Sequence, residues 1–266
     1  MLKFSNANAK TEALKEVDEL KPFLLDRNIY SLDLLSGYSC PFASECLSKA
    51  TVIDGKRKIK DGPKTEFRCF SASQEVQYNG VYNKRKKNYD NLKLLNTHGR
   101  YGINVAESMA EEIDYALPQN AGIVRIHVAG DFFNAEYFRA WMIVARMNPT
   151  VLFYAYTKSL QYWVDNLDFM PYNMVMTASR GGRLDYLIEQ FNLRETVVVF
   201  SESEAEEKNL VIDHDDSHAA RPSLKDDDFA LLIHGTQPKG SEAANALKIL
   251  KRDKVQHSYS RKKVTV

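Results

Sequence analysis

Short apolar runs alternate with amphipathic segments through the second half of the chain. The runs predict strands, and the segments between them repeat apolar positions at intervals of three and four residues, as helices do. The predicted strands cover residues 123–128, 151–156, 173–177, 196–200 and 229–233. The predicted helices cover residues 135–147, 160–167, 183–191, 202–208 and 242–250. Strands separated by helices of this length indicate parallel βαβ units.

The first half of the chain is less regular. A short helix is predicted within residues 7–26, ending near Pro22, and an apolar strand follows at 29–35. Loop then continues to about residue 66, and the glycines and proline in its basic segment 54–63 predict a hairpin or a loop there. Helical patterns return at residues 73–95 and 104–116.

About six strands joined in this way predict an α/β fold, either a partial or full TIM-like (β/α) barrel or a doubly wound sheet. We favour the barrel, with a cysteine-bearing loop inserted after the first strand, because polar residues follow every predicted strand. We expect one domain over residues 1–266. In it, residues 28–120 hold the first strand, the cysteine loop and basic helices, and residues 121–252 hold the regular βα repeats.

Charged residues are unevenly distributed along the chain. The net charge is +1, but residues 1–100 hold 18 Lys and Arg against 12 Asp and Glu, and the remainder is net acidic. A basic N-terminal part favours a polyanionic partner such as nucleic acid. The N-terminus lacks the apolar core of a signal peptide, and no stretch approaches the roughly 18 apolar residues of a membrane span. We therefore expect a soluble, cytoplasmic protein without a membrane partner.

All the cysteines of the chain fall in one short stretch. They are Cys40, Cys46 and Cys69, and the apolar run 29–35 leads directly into them. Three soft ligands at the end of a strand suit a metal with one position free or filled by another residue. Buried, reduced thiols are the alternative, since free cysteine packs as a small hydrophobe. A disulfide framework does not fit an odd, small number of cysteines in a chain of this length.

Charged residues follow four of the later strands. They are Asp131, Lys158, Arg180 and Glu202, and in a barrel they would converge on one mouth. Asp131 is a candidate nucleophile or base, and Lys158 and Arg180 are candidate phosphate ligands. Helix capping and solvated loops are the alternatives for such residues.

Four of the six histidines lie in or after the predicted strands or in an acidic segment. His127, within a strand, is more typical of a core histidine than of a ligand. His214 and His218 lie in the acidic segment 213–219, which predicts a second metal site, a carboxylate such as Asp215 delivered to the mouth, or an acidic surface loop. His234, at a strand end, is a candidate fourth metal ligand or acid–base group.

Two basic segments are candidates for nucleic-acid contact. One is the turn 56–60, and the other is the run Lys84, Arg85, Lys86 and Lys87, with tyrosines at 78, 82 and 89 nearby. Positive charge with neighbouring aromatic rings favours a nucleic acid backbone and stacked bases. A target base in a duplex would have to be flipped out to reach the mouth.

Several segments together resemble a bacteriophage protein family known as gene product 88. The segments that carry the resemblance are 37–41 with Cys46, 67–70, 125–132, 153–159, 213–217 and 232–238. They span most of the chain. The resemblance implies kinship with phage-encoded proteins, and the family name implies no defined activity.

Two more distant likenesses suggest activities. The arrangement is similar to the transglycosylases that exchange guanine for a 7-deazaguanine base in DNA or tRNA. Those are α/β barrels with two carboxylates and a zinc site, which implies Asp131 and Asp215 as the carboxylates and zinc on the three cysteines. A cysteine cluster after the first strand also looks like the radical S-adenosylmethionine enzymes, in which three cysteines hold a [4Fe–4S] cluster.

From these features we expect a phage-type nucleic-acid-modifying enzyme, most concretely a DNA guanine transglycosylase, which is a pentosyltransferase. Asp131 would attack the sugar or activate the incoming base, and Asp215 or Glu202 would carry the complementary proton. Lys158 and Arg180 would hold phosphate. The alternatives are a radical iron–sulfur enzyme and a non-catalytic zinc-containing phage protein that binds nucleic acid or a host partner. Nothing in the sequence indicates an oligomeric state.

Overall fold

The computed structural model describes residues 1–98 and 104–255. Its strands are β1 (Ser5–Asn6), β2 (Asn28–Leu32), β3 (Ser48–Ile53), β4 (Lys56–Asp61), β5 (Ala121–Ile126), β6 (Leu152–Thr157), β7 (Met174–Ser179), β8 (Glu195–Val199), β9 (Val211–Ile212) and β10 (Phe229–Leu232). Its α-helices are α1 (Ala9–Glu12), α2 (Phe70–Gln77), α3 (Asn79–His98), α4 (Val105–Ala116), α5 (Ala135–Met147), α6 (Leu160–Val164), α7 (Tyr186–Phe191), α8 (Glu202–Glu207), α9 (Ser217–Ala220) and α10 (Glu242–Arg252). Short 3-10 helices lie at Ala13–Glu16, Asp18–Phe23, Leu167–Phe169 and Pro222–Leu224.

One mostly parallel sheet contains eight of these strands, in the order β1-β2-β5-β6-β7-β8-β10-β9. β1 runs antiparallel to β2, and the other neighbouring pairs are parallel. The strands β2, β5, β6, β7, β8 and β10 stand side by side in chain order. Right-handed crossovers that always advance in one direction place their helices on one face of the sheet. A doubly wound sheet would reverse direction at a switch point, and this sheet does not.

The sheet is open, so the full TIM-like barrel predicted from the sequence is wrong for the described residues. No pairing joins the edge strands β1 and β9 there. Each edge strand is only two residues long, and β1 is antiparallel to its neighbour. Neither edge therefore offers the other a parallel partner long enough to close a barrel.

Two cores cover the two faces of the central strands, and a third packs around β8, β10, α8 and α10. Side chains alternate between the faces along each strand, so Phe153 and Ala155 of β6 pack in the core under helices α3 to α7. Leu152 and Tyr154 of the same strand pack in a second core, covered by the 3-10 helices near the N-terminus and by α9. Both faces are thus buried, so we expect a functional site of this sheet at the ends of its strands.

Several predicted elements differ in detail from the structure. The helix expected at 7–26 is α1 followed by two 3-10 helices, the second of which contains Pro22. The helix expected at 73–95 is broken into α2 and α3, because Tyr78 between them has extended backbone angles. The hairpin is confirmed as β3 and β4, and its turn residues Asp54 and Gly55 both have positive φ angles, as two-residue hairpin turns require.

In the part of the chain that the structure describes, every helix is too short or too polar to span a lipid bilayer.

Candidate functional site

The carboxyl ends of β5 and β6 hold the buried carboxylate of Asp131. Its Oδ1 accepts hydrogen bonds from the backbone N–H of Phe132 at 2.7 Å and from Thr157 Oγ1 at 2.6 Å. Its Oδ2 accepts from the backbone N–H of Lys158 at 2.8 Å. Three donors from two strand ends therefore fix the orientation of this carboxylate.

Burial shifts the titration of Asp131 towards neutral pH. Burial raises the pKa of Asp131 to about 6, although its hydrogen-bond donors and the Lys158 ammonium act in the opposite direction. A carboxyl group with a pKa close to the working pH can both give and take a proton. Perturbed carboxyl groups of this kind are common at functional sites.

The titration of Asp131 predicts a pH-dependent stability difference between the wild type and Asp131→Asn. The folded pKa, about 6, lies above the ordinary value of 3.8, so ionisation is harder in the folded protein. Wild-type stability relative to the variant should therefore fall by about 3 kcal/mol as the pH rises from about 4 to about 6, and then stay level. Urea unfolding of both proteins across this range measures the difference. A difference that does not change with pH would contradict the assignment.

Gly130 and Ser39 connect Asp131 to the cysteine-bearing segment. Ser39 Oγ accepts a hydrogen bond from the Asp131 backbone N–H at 3.3 Å and donates to the Leu35 carbonyl at 2.8 Å. Gly130 has a φ of +93°, and a Cβ at this position would lie 2.6 Å from Ser39 Oγ and 2.8 Å from the Cβ of Leu34. Only glycine leaves room for this contact.

We therefore expect Gly130→Ala to destabilise the protein more than Gly240→Ala. Both glycines have positive φ angles, but a Cβ at Gly240 meets no atom within 4 Å. Backbone strain costs about 1–3 kcal/mol in both variants, and overpacking adds about 1–3 kcal/mol only at Gly130. Denaturant unfolding of the two variants measures the difference. Equal losses would show that the close approach of Ser39 is not important.

The three cysteines lie in the segment between β2 and α2, and all are free, half-buried thiols. Burial raises the pKa of each thiol, that of Cys69 to about 11. Next to burial, the negative charges of Asp131, Cys69 and Cys46 raise the pKa of Cys40 most. The Lys158 ammonium lowers the pKa of Cys46, and Asp131 raises it. The charges of Asp131 and Lys158 therefore reach the cysteine-bearing segment, which the hydrogen bond of Ser39 joins to Asp131.

The cysteine-bearing segment touches the ends of several parallel strands. Besides the Ser39 contact with the end of β5, the N–H of Glu45 donates to the carbonyl of Gly181, after β7, at 3.0 Å. The side chain of Gln237, after β10, bonds both the N–H and the carbonyl of Arg68, directly before Cys69. The ends of β5, β7 and β10 are thus each hydrogen-bonded to the cysteine-bearing segment, although the sheet is open.

The three cysteine thiols are the donors that would hold either of the predicted metal groups. Within residues 1–98 and 104–255, no group of three or more His, Cys, Asp or Glu side chains is arranged to hold a metal ion. A single zinc ion needs its thiolates at bonding distance from one centre. An iron–sulfur cluster spaces its thiolates farther apart, because each binds a different iron atom. A single zinc ion on the three cysteines would therefore need the thiols to move closer to one centre.

The two predicted phosphate ligands at the strand ends are engaged within the protein. The Lys158 ammonium donates to the carbonyl and hydroxyl of Ser179 at 2.7 and 3.1 Å and to the carbonyl of Arg180. The Arg180 guanidinium pairs with Glu189 and Glu195. Lys158 thus lies in the site as a group that holds the end of β7, whereas Arg180 is directed towards α7 and β8.

The run from Lys84 to Lys87 does not form one basic face. Arg85 is buried and pairs with Glu75 at 3.2 Å. Lys84 is half-buried on the Ser5 hydroxyl, and Lys86 pairs with Asp90 in the next turn. Lys87 is exposed. Helical geometry spreads the four residues around α3, so a continuous basic run in sequence is not a patch in space.

Two other predicted catalytic residues lie apart from Asp131. Glu202 is exposed in the first turn of α8, after β8, which is three strands from β5. Asp215 accepts a hydrogen bond from the Ser217 N–H at the start of α9, as an ordinary turn carboxylate does. Neither carboxylate contacts Asp131 in the described residues.

The predicted fourth metal ligand, His234, lies shortly after β10, beside the cysteine-bearing segment. Its ring packs 5.1 Å from that of Phe70, which follows Cys69, and its Nδ1 lies 3.0 Å from the carbonyl of Leu232. Burial lowers the pKa of His234 to about 4, so the imidazole is neutral, the form that binds metals. Its role as a ligand stays a prediction.

His127 lies in the core, as the sequence predicted. Its Nε2 is 2.9 Å from the Tyr137 hydroxyl, and burial lowers the pKa of His127 to about 3. The residue is a neutral histidine with a φ of +69°, which lets the chain turn sharply after β5.

Sequence reasoning missed Asp216, the fully buried carboxylate of the 213–219 segment. Its Oδ1 lies 2.7 Å from Lys10 Nζ, and its Oδ2 pairs with Arg125. The hydroxyls of Tyr154 and Tyr156 each donate to it at 3.0 Å. Burial opposes ionisation, but Arg125, Lys10 and these donors hold the pKa of Asp216 well below its usual range. The inward-facing Arg125 within an otherwise apolar strand was the signal for a buried counter-charge.

The comparisons with known proteins give one family. The family model described as Gene product 88 matches residues 1–254, so the chain belongs to that family. No curated protein and no solved structure gives a significant match.

Proposed function

We propose that this member of the gene product 88 family is a nucleic-acid-modifying enzyme with an iron–sulfur cluster on Cys40, Cys46 and Cys69. One observation carries the proposal: three free cysteines in one segment follow the first of six parallel strands that stand in chain order. In this arrangement the open sheet acts as a partial barrel. Its strand ends at Asp131, Gly181 and Gln237 form the mouth under the cysteine segment.

The residues around the thiols define what the protein itself contributes. When bound, the cluster would supply one-electron chemistry, with S-adenosylmethionine as the cosubstrate class implied by the sequence resemblance. The thiols would lose their protons on binding iron, since their raised pKa values keep them protonated without it. Asp131 would hold or move a proton next to them, and the Lys158 ammonium would keep the end of β7 in place.

Charge supports nucleic acid as the substrate class. Residues 1–100 carry the excess of Lys and Arg, and the exposed basic hairpin β3–β4 belongs to the same inserted segment as the cysteines. A polyanion attracted to that side would approach the mouth.

A base-exchanging guanine transglycosylase with zinc on the cysteines is the second candidate. The observation that favours it is Asp131, a buried carboxylate with a pKa close to neutrality at the carboxyl ends of parallel strands. That reaction also needs a second carboxylate, and Asp215 and Glu202 lie apart from Asp131. The cluster enzyme is therefore the better supported reading.

Metal analysis of protein purified without oxygen separates the two candidates. Iron and acid-labile sulfide, with brown colour and absorbance at about 400 nm, would support the cluster. Colourless protein with one zinc per chain would support the transglycosylase, provided that Asp131→Ala keeps the zinc and abolishes base exchange. Protein that binds neither metal under these conditions would exclude both.

A further inference from the structure

The β3–β4 hairpin carries a row of lysines on one face. Lys56, Lys58 and Lys60 alternate along β4 and are exposed, and the residues between them are half-buried. Lys60 is paired in register with Lys49 of β3, so four lysines share this face. The Lys49 ammonium lies 5.0 Å from the centre of the Tyr38 ring. We call this set the lysine face.

The lysine face is electrostatically unfavourable for the isolated protein. Like charges directly opposite each other on a sheet destabilise it, and Lys49 and Lys60 are such a pair. The other positions of the face on β3 are Thr51 and Ile53, which provide no negative charge. Asp61 projects to the opposite face, where it pairs with Arg68. Among the described residues no acidic side chain pairs with this row of charges, and a polyanion would supply that negative charge.

The opposite face of the hairpin holds it firmly beside the cysteines. Arg57 Nε donates to the carbonyl of Glu75 in α2 at 2.8 Å, and Ala50 is fully buried. Ser48 lies so close to Gly37 that a Cβ on the glycine would be 2.5 Å from the Ser48 carbonyl oxygen. Gly37 in turn donates to the Cys40 thiol at 3.3 Å. The lysine face thus has a fixed position relative to the thiols.

We propose that the lysine face binds the phosphate backbone of a nucleic acid strand and presents it to the cysteine site. The proposal rests on the proposed function, of which it specifies the substrate contact. Alternate residues on a strand lie about 6.7 Å apart, comparable to the spacing of successive phosphates along an extended strand, and a two-stranded ribbon also fits the major groove of a duplex. A lipid surface is less suited to this face, because interfacial binding is strengthened by buried apolar area, and Ile53 is its one large apolar residue.

The test compares three full-length proteins for binding to fluorescein-labelled oligonucleotides. The variant is K56Q/K58Q/K60Q, and the control is K225Q/K239Q/K248Q, which removes the same charge from exposed lysines elsewhere. At about 100 mM salt the variant should bind at least tenfold more weakly than the wild type, and the slope of log K against log salt should fall by about 2 to 3. The control should change both quantities much less. Single-stranded DNA, duplex DNA and RNA of equal length are measured in parallel to identify the nucleic acid.

Three outcomes would overturn the proposal. One is an equal loss in variant and control, which would show only a general effect of net charge. Another is a variant that self-associates but keeps its affinity, since lysines can also protect a hairpin edge from pairing with other chains. The third is a wild type that binds phosphatidylserine vesicles but no oligonucleotide.

Iron content is measured on the same samples. If the wild type carries iron but binds no oligonucleotide, the proposed role of the lysine face is wrong and the proposed cluster stands. If the wild type carries no iron, the proposed function is wrong.

Discussion

Asp216→Ala is expected to lower the free energy of unfolding by about 3–5 kcal/mol, because it leaves two buried cations without their counter-charge. Asp216 is completely buried and pairs with Lys10 and Arg125. The side chain of Arg125 is 12 % exposed and that of Lys10 is 8 % exposed, so water can do little to replace the carboxylate. The hydroxyls of Tyr154 and Tyr156 would also lose their acceptor.

Urea unfolding followed by circular dichroism measures this loss, with Asp215→Ala as the matched control. Asp215 is the preceding residue and makes only a turn hydrogen bond, so its removal should cost less than about 1 kcal/mol. Asp216 has a φ of +67°, a conformation that Asn tolerates better than Ala. A large loss in Asp216→Asn as well would therefore assign the effect to charge and not to backbone strain. Equal stabilities of the Asp215 and Asp216 variants would contradict the prediction.

Replacing any one of Cys40, Cys46 and Cys69 by Ala is expected to reduce the iron content at least tenfold. A cluster held by three thiolates loses a bond to one of its iron atoms with each substitution, and no other cysteine is present in the chain. Iron per chain and absorbance at about 400 nm are measured after reconstitution of each variant with iron and sulfide without oxygen.

His234→Ala is the control for the cysteine variants. His234 lies next to Phe70, beside the cysteine segment, but the proposed cluster is held by the three thiolates alone, so we expect this variant to keep its iron. Far-ultraviolet circular dichroism of every variant shows whether the fold is retained. Iron retained in a folded Cys40 variant would remove that thiol from the set, and iron lost in His234→Ala would restore the histidine as the fourth ligand.

Part of the site could be predicted from the sequence because local patterns determined it. Asp131, Lys158 and the cysteines each follow a recognisable apolar strand or its loop, and parallel strands end at one edge of a sheet. The Asp54–Gly55 turn predicted the hairpin in the same way, since only a few residue types adopt its backbone angles. These predictions needed no knowledge of distant contacts.

Other roles depended on partners that are far away in the sequence. The sequence alone allows Arg180 to be a phosphate ligand, but in the fold its guanidinium pairs with Glu189 and Glu195. Arg85 belongs to a basic run, yet it is buried against Glu75. Asp215 and Asp216 are neighbours with the same side chain, and only the packing of α9 against the sheet buries Asp216 beside Arg125.

The sequence by itself determined the order of strands and helices, the grouping of the cysteines and the carboxylate at the end of β5. These follow from side-chain periodicity and chain connectivity, which are local properties. Only the tertiary structure decided that the sheet stays open, that Asp216 and not Asp215 is the buried carboxylate, and that the lysines of β4 share one face beside the thiols. Those outcomes depend on edge length, on burial and on strand register, which arise when distant segments pack together.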